Sequence, residues 1–390
     1  MTLGRSRSAT ESITTADSQP LNCAAGLPAG PGPARGTAMA DLAYYQGMKF
    51  RVAGVVWVLW CGQGVPALAA GSGRLYISDE GSGAVVILEA ATGVITTRVA
   101  VGKRPRGMQL SPDGKRLYVA LSGSAMAGPG VDESRLPPPD RRFDGIGVID
   151  VKSGRLLKTL PGGTDPETLA LAPDGRTVYV ANEDAMQLSA IDALSGRLRA
   201  SVRIGVEPEG VAVRPDGKLV YVACEGSGVV YAIDAMTLAV VAKIPTGSRP
   251  RGIAIARDGN SGFISDEMGG AITVFDTHTQ QVLRTITLPA TAGTLTRPMG
   301  LATSPDGRSL YVTTGRGGAL IEIDLLTAGI KRNIAAVGRR PWGLALDTQG
   351  NRAFTANGPS GDISMIDLAS GRVVRRVPVG KSPWGIVFSP

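Results

Sequence analysis

The sequence predicts an all-β protein: a seven-bladed β-propeller with four antiparallel strands per blade, one blade closed by both termini. Three observations carry this. A Pro-corner phrase returns seven times at near-constant spacing, each copy holds four short apolar runs bounded by turns, and the two chain ends hold complementary parts of one copy.

Composition sets the frame. The 390 residues include 53 Gly and 26 Pro, and 43% are hydrophobic, which suits many short strands punctuated by turns. The net charge is +8, yet Lys and Arg are spread through the repeats without a basic run. No nucleic-acid partner is therefore expected.

The chain opens with residues 1–47, rich in Ala, Gly, Pro, Ser and Thr and lacking an apolar period, which read as a disordered or misassigned extension. Met48-Lys49-Phe50-Arg51 then precedes an apolar stretch, Val52 to Trp60, and Ala67-Leu68-Ala69. A short basic start, an apolar run and an A-x-A site predict a secretory signal peptide over 48–69, with translation starting at Met48 and cleavage after Ala69. The alternative is a disordered tail with an internal anchor, but Gly62, Gly64 and Pro66 break the run too soon for a comfortable membrane span. Trp60 before Cys61 disfavours a lipid anchor, which wants a small residue there. The expected location is the periplasm or outside the cell, with membrane contact only through the signal segment. Beyond Ala69 only Cys224 remains, so no internal disulfide can form.

Residues 70–390 form the predicted propeller. Arg104-Pro105-Arg106-Gly107 leads through an apolar run to Ser111-Pro112-Asp113-Gly114 and then Leu117-Tyr118-Val119-Ala120. The phrase recurs from Asp165-Pro166, Glu207-Pro208, Arg249-Pro250, Arg297-Pro298, Arg340-Pro341 and Ser382-Pro383, with prolines 61, 42, 42, 48, 43 and 42 residues apart. Each copy continues through a Gly-rich turn to a strand ending in Asp, as at Val148-Ile149-Asp150, and then to a fourth strand. The last copy stops at Pro390 after its first strand, and Gly73-Arg74-Leu75-Tyr76-Ile77-Ser78 supplies the second strand of the same copy. One blade cannot bury both of its faces, so the copies must stack in a ring.

Tyr118-Val119-Ala120, Tyr179-Val180-Ala181-Asn182 and Tyr221-Val222-Ala223, with Pro-Asp-Gly before and Ile-Asp after, resemble the YVTN-family β-propeller repeat over roughly 73–390. More closely, the chain looks like the periplasmic members found beside quinoprotein alcohol-oxidation systems. The resemblance implies the fold and leaves the activity open. It also implies a rival function, because related propellers include lactone-opening members.

Chemistry is expected at one mouth of the central channel. Directly after the corner prolines stand Arg106, Glu167, Glu209, Arg251, Met299, Trp342 and Trp384, charged on four neighbouring blades and apolar on three. These are candidate ligand-binding residues, with Arg106 and Arg251 gripping an anion and the two Trp rings forming a platform. Equally, Arg and Glu would pair across adjacent blades while the Trp rings seal the channel. Glu80, Glu183, Glu225 and Glu267 follow equivalent strand ends and are weak candidates for a hard cation. An insertion over 122–144, with Pro137-Pro138-Pro139 and Asp132-Glu133, reaches over the same mouth as a lid, a partner loop or a plain surface excursion.

The one histidine, His278, falls in a turn at the opposite face, so no His cluster and no Ser-His-Asp triad can be assembled. No cofactor is expected. The leading expectation is a monomeric, non-enzymatic binding or scaffold protein, accessory to a periplasmic oxidative system, taking a protein or a small anionic ligand at the mouth. The rival is a lactonase-like hydrolase with Glu183, Glu225 or Glu267 as general base and Arg251 at the developing oxyanion. A third class is a cell-surface interaction module that depends on the 122–144 loop.

Overall fold

The computed structural model describes residues 73–126, 135–290 and 296–390. The extension over 1–47, the signal segment over 48–69 and Asp132-Glu133 lie outside the described residues. Among those described, no helix is long and apolar enough to cross a membrane.

Seven sheets of four antiparallel strands are present. In blade 1 the order from the channel outward is Pro383–Ser389, Arg74–Asp79, Ala84–Glu89 and Ile95–Ala100, so the C-terminal strand is innermost and pairs with the first described strand. The expected closure by both ends is thus what the chain does. The innermost strands of blades 2 to 7 are Pro105–Leu110, Pro166–Leu171, Pro208–Val213, Pro250–Ile255, Leu301–Thr303 and Pro341–Leu346. Blade 6 departs from the pattern: its inner strand starts beyond Pro298 and is half the usual length. There the Gly300 N–H crosses to the Trp342 carbonyl of blade 7 at 3.1 Å.

Burial follows from the alternation of the strands. Seven hydrophobic clusters occupy the seven gaps between neighbouring blades, from Leu75, Val86 and Phe354 between blades 7 and 1 to Tyr311, Leu320 and Ile366 between blades 6 and 7. The outermost strands are mostly exposed, as in Leu198–Arg203. Hydrophobic burial between blades is therefore the term that closes the ring.

The recurring residues of the repeat have structural work. Four second-strand tyrosines donate their hydroxyls to a backbone carbonyl in the outer turn of the next blade: Tyr76 to Val151 at 3.2 Å, Tyr118 to Ala193 at 3.2 Å, Tyr179 to Ala235 at 2.9 Å and Tyr221 to Thr277 at 3.2 Å. The Asp that ends each third strand accepts the backbone N–H three residues on, as Asp192 does from Ser195 at 2.8 Å, and closes the turn. That acceptance favours the ionised carboxylate, and Asp234, Asp276 and Asp324 sit below the ordinary carboxyl range for the same reason, as does Asp150, where the Ser153 hydroxyl contributes most and its N–H next. His278 lies in one of these turns, exposed, with Nε2 3.0 Å from Asn260 Oδ1.

The inner strands approach one another so closely that the residue two past the corner proline is Gly in six blades and Thr168 in the seventh. A Cβ on Gly210 would stand 2.0 Å from the Arg251 carbonyl oxygen, and one on Gly252 would stand 2.4 Å from that of Met299. Both obstacles are backbone and cannot rotate away. Gly210→Ala should therefore lower stability by about 1–3 kcal/mol, the usual cost of overpacking. Urea unfolding checks this; an unchanged midpoint would show that the inner ring has slack.

Candidate functional site

The seven residues after the corner prolines do form a ring around one end of the channel. Neighbouring blades fix where their side chains begin. The Ser78 hydroxyl donates to the Arg106 carbonyl at 2.7 Å, Ser265 to that of Met299 at 2.7 Å, Thr313 to that of Trp342 at 2.9 Å, and Thr168 to that of Glu209. A cavity of about 140 Å³ lies within this ring, lined in part by Glu209, Arg251, Met299, Trp342 and Trp384.

The charged half is densely paired. Arg251 meets three carboxylates: Glu209 of blade 4 at 2.7 Å, Glu225 of blade 4 at 2.7 Å and Glu267 of its own blade at 2.6 Å. Arg249 adds contacts to Glu225 and, at 3.8 Å, Glu267. On the other side Arg106 pairs with Glu167 and approaches Glu80 at 3.8 Å, and Arg104 binds Glu80 at 2.9 Å. Glu167 is fully buried, and Arg106 and Glu209 are each 6% exposed. Burial alone would push Glu209 up, but the guanidiniums of Arg251, Arg106, Arg249 and Arg104 outweigh it and hold its carboxyl below the ordinary range. Burial likewise pulls Arg251 down, while Glu209, Glu267 and Glu183 hold it above its usual value. Both guanidiniums expected to grip an anion, Arg106 and Arg251, thus already have carboxylate partners across blade boundaries.

Glu183 is different. Its side chain has no ion pair or hydrogen bond among the described residues, although Glu80, Glu225 and Glu267 at the equivalent positions all pair with Arg. Burial, then repulsion from Glu209, raises its carboxyl to about 7, with Arg106 opposing. The four glutamates expected as weak cation ligands do not converge, because Arg251 takes two of them and Arg104 a third. Among the described residues the carboxylates that do meet are Asp165, Glu167 and Glu183, with oxygens within 4.8 Å of one another. Asp165 is already held by the hydroxyls of Ser122 and Ser124, the latter at 2.8 Å. Those serines open the insertion. Its far end is pinned beside them, since Asp144 accepts the N–H of Gly123 at 2.6 Å and that of Asp165 at 3.0 Å. Both ends of the insertion therefore stand at the mouth.

The apolar half carries a tilted Trp pair. The rings of Trp342 and Trp384 are 6.0 Å apart at 33°. Arg106 lies 5.1 Å over Trp384, and Arg251 and Arg340 lie 5.3 and 4.6 Å over Trp342. Arg340 belongs to a ring that the sequence-based expectations did not include: the residue before each corner proline. That ring reads Arg104, Asp165, Glu207, Arg249, Arg297, Arg340 and Ser382. Five of these, Arg104, Asp165, Glu207, Arg249 and Arg340, hold φ between 38° and 58°. Non-glycine residues rarely adopt that conformation, and its repetition sets charged side chains around the mouth. The signal is present in the sequence, at the same fixed offset on the other side of the proline.

Elsewhere the site offers little reactivity. Cys224 is fully buried, which pushes its thiol up to about 12.

Residues 141–258 match the family model described as the cytochrome D1 heme domain. The chain is 32% identical to antigen Lp49 of Leptospira interrogans over a stretch covering 20% of this chain, and it spans 24% of that protein's length. Among solved structures, the periplasmic gluconolactonase of Pseudomonas aeruginosa superposes with a TM-score of 0.65 at 22% identity, covering 82% of this chain and 99% of that one. Hydrazine synthase of Kuenenia stuttgartiensis does so with 0.61 at 18% identity, covering 73% and 89%. These likenesses agree with the geometry: the chain is a β-propeller repeat protein. The residues do not fit a haem. The matched stretch contains no His, and its one Cys is buried in the core between blades 3 and 4.

Proposed function

We propose that this chain is an exported, non-enzymatic binding propeller of the periplasm whose channel mouth takes a small ligand. The observation that carries the reading is the pairing of Arg251 with three carboxylates. A guanidinium so occupied is poorly placed to stabilise a developing oxyanion, whereas the ring it stiffens is a preorganised rim. The export signal read over 48–69 supports the location, as does a structural neighbour named as periplasmic. The scaffold role beside an oxidative system rests on the family resemblance. Native mass spectrometry of the full chain, exported from a bacterial host, tests the reading. The expected result is a mass excess that is lost on Trp384→Ala. A bare mass combined with turnover of a small substrate would overturn it.

One observation favours a second reading, lactone hydrolysis. Glu225 and Glu267 are held by Arg, but Glu183 has no such partner among the described residues and titrates near neutrality, as a general base should. It would take a proton from water as the water oxygen bonds to the lactone carbonyl. The ring C–O bond would then break, the ring oxygen would leave with that proton, and a hydroxy acid would form. A gluconolactonase among the structural neighbours makes sugar lactones the first panel. On this reading kcat/KM rises with pH through about 7, and Glu183→Gln removes that limb and lowers the rate by roughly 100-fold or more. No turnover across the panel would remove it.

A further inference from the structure

The mouth is electrostatically divided, and the division follows from one repeat position. The residue after the second strand is Glu80, Glu183, Glu225 and Glu267 in blades 1, 3, 4 and 5 and Gly358 in blade 7, and in blade 6, where the strand ends one residue earlier, Gly315 holds the corresponding repeat position. Those two blades keep cations before their corner prolines, Arg297 and Arg340, and Arg316 follows Gly315. Arg297 reaches a carboxylate only at 4.0 Å, on Glu267 of blade 5. Arg340 and Arg316 have no ion pair among the described residues. Burial lowers the Arg340 guanidinium; Glu267 opposes this, but the like charges of Arg251, Arg316 and Arg297 push it further down. Arg340 lies 4.6 Å over Trp342, which lines the mouth cavity with Met299 and Trp384, and the buried indole N–H of Trp384 meets no protein acceptor among the described residues.

From this juxtaposition we infer that blades 6, 7 and 1 form an anion subsite: Arg297, Arg316 and Arg340 take the carboxylate or phosphate head of a small organic anion whose flat apolar body lies against Trp342 and Trp384. Three guanidiniums short of carboxylates supply charge-assisted donors for an oxyanion. The Trp faces supply apolar area and orientation for the body. The inference rests on the reading of the mouth as a ligand site, and it moves the anion from Arg106 and Arg251 to three other arginines.

Ligand-observed NMR of the full chain with benzoate, phenyl phosphate and the neutral benzyl alcohol tests it. At low salt the two anions should bind at least about tenfold more tightly than benzyl alcohol, and added salt should narrow the gap. Arg297→Gln with Arg340→Gln should remove most of that preference. Lys115→Gln with Lys152→Gln, an equal loss of charge on turns away from the mouth, should leave it intact. Phenyl phosphate ahead of benzoate would assign a phosphate head, and the reverse order a carboxylate. The subsite is overturned if the anions bind no better than benzyl alcohol, or if both double variants weaken them equally. Binding of all three probes that is blind to charge but lost on Trp384→Ala would sink the subsite and leave the ligand-binding mouth standing. Absence of all binding, together with a bare native mass, would sink both.

Discussion

Arg251→Met should cost the fold about 3–5 kcal/mol at pH 7.5, the range found when one partner of a buried ion pair is removed. The guanidinium is nearly enclosed and stands 2.6–2.7 Å from oxygens of Glu209, Glu225 and Glu267. Met keeps much of the volume but leaves those carboxylates facing one another. Arg249 still reaches Glu225 and Glu267, so Glu209 is the group most exposed to the loss. The sign with pH follows from Glu209. With Arg251 present its carboxyl sits below the ordinary value, and it stabilises the fold above that value. Without Arg251 the largest charge opposing burial is gone and the carboxyl rises, so its ionised form stabilises the fold less at neutral pH and the variant loses less than the parent on acidification. The deficit of the variant should therefore be largest at neutral pH and narrow towards pH 4.5. Arg251→Lys should recover only part of it, since one ammonium cannot match three oxygens held by a planar fork. Urea unfolding at the two pH values checks this. A loss under 1 kcal/mol at pH 7.5, or a deficit that does not narrow in acid, would show that the ring does not depend on this residue.

The legible and illegible parts of this protein divide on a physical line. Blade number, strand order and closure are legible in the spacing of Pro105, Pro166, Pro208 and their successors, because a repeating unit must repeat its turns and its buried faces. The inward ring from Arg106 to Trp384 is legible in the same way, since a fixed offset from a corner points to a fixed place on the ring. Partnership is not. Glu80, Glu183, Glu225 and Glu267 share one offset, yet three are paired and one is not. Arg104 goes to Glu80 and Arg106 to Glu167, while Glu183 shares its surroundings with Glu167, which takes the guanidinium, and with Asp165, which is held by serine hydroxyls. Offset gives position around the axis; pairing depends on which side chain of the neighbouring blade arrives there. The short inner strand of blade 6 is hidden for a similar reason. The phrase Arg297-Pro298 is intact, and the change lies in the Gly300 N–H crossing to blade 7.

Glu183→Gln should raise stability at pH 8 by about 3 kcal/mol but by less than about 1 kcal/mol at pH 5. A glutamate carboxyl ordinarily titrates near 4.5, and here burial and Glu209 lift it to about 7. Between those values the folded chain holds a proton that the unfolded chain has released, so stability falls as pH rises through that window. Every pH unit that separates the folded from the unfolded titration is worth about 1.4 kcal/mol. The amide has nearly the volume of the acid and no charge to bury, so the variant should lack this descent. Glu225→Gln gives the opposite sign, because Glu225 is the partner of Arg251 and Arg249, and its loss leaves cations underpaired. The contrast separates a special environment at Glu183 from a general effect of neutralising the rim. Unfolding curves from pH 5 to 8 for both variants decide it, and a Glu183→Gln effect that is destabilising at pH 8 or flat across the range would mean that the carboxylate finds a cation after all. If the descent is there, the protein keeps one rim carboxylate in an environment that costs it stability at neutral pH. Packing gives no reason for that cost, since three sister positions avoid it by pairing. A ligand that donates a hydrogen bond, or a reaction that needs a base, would give one.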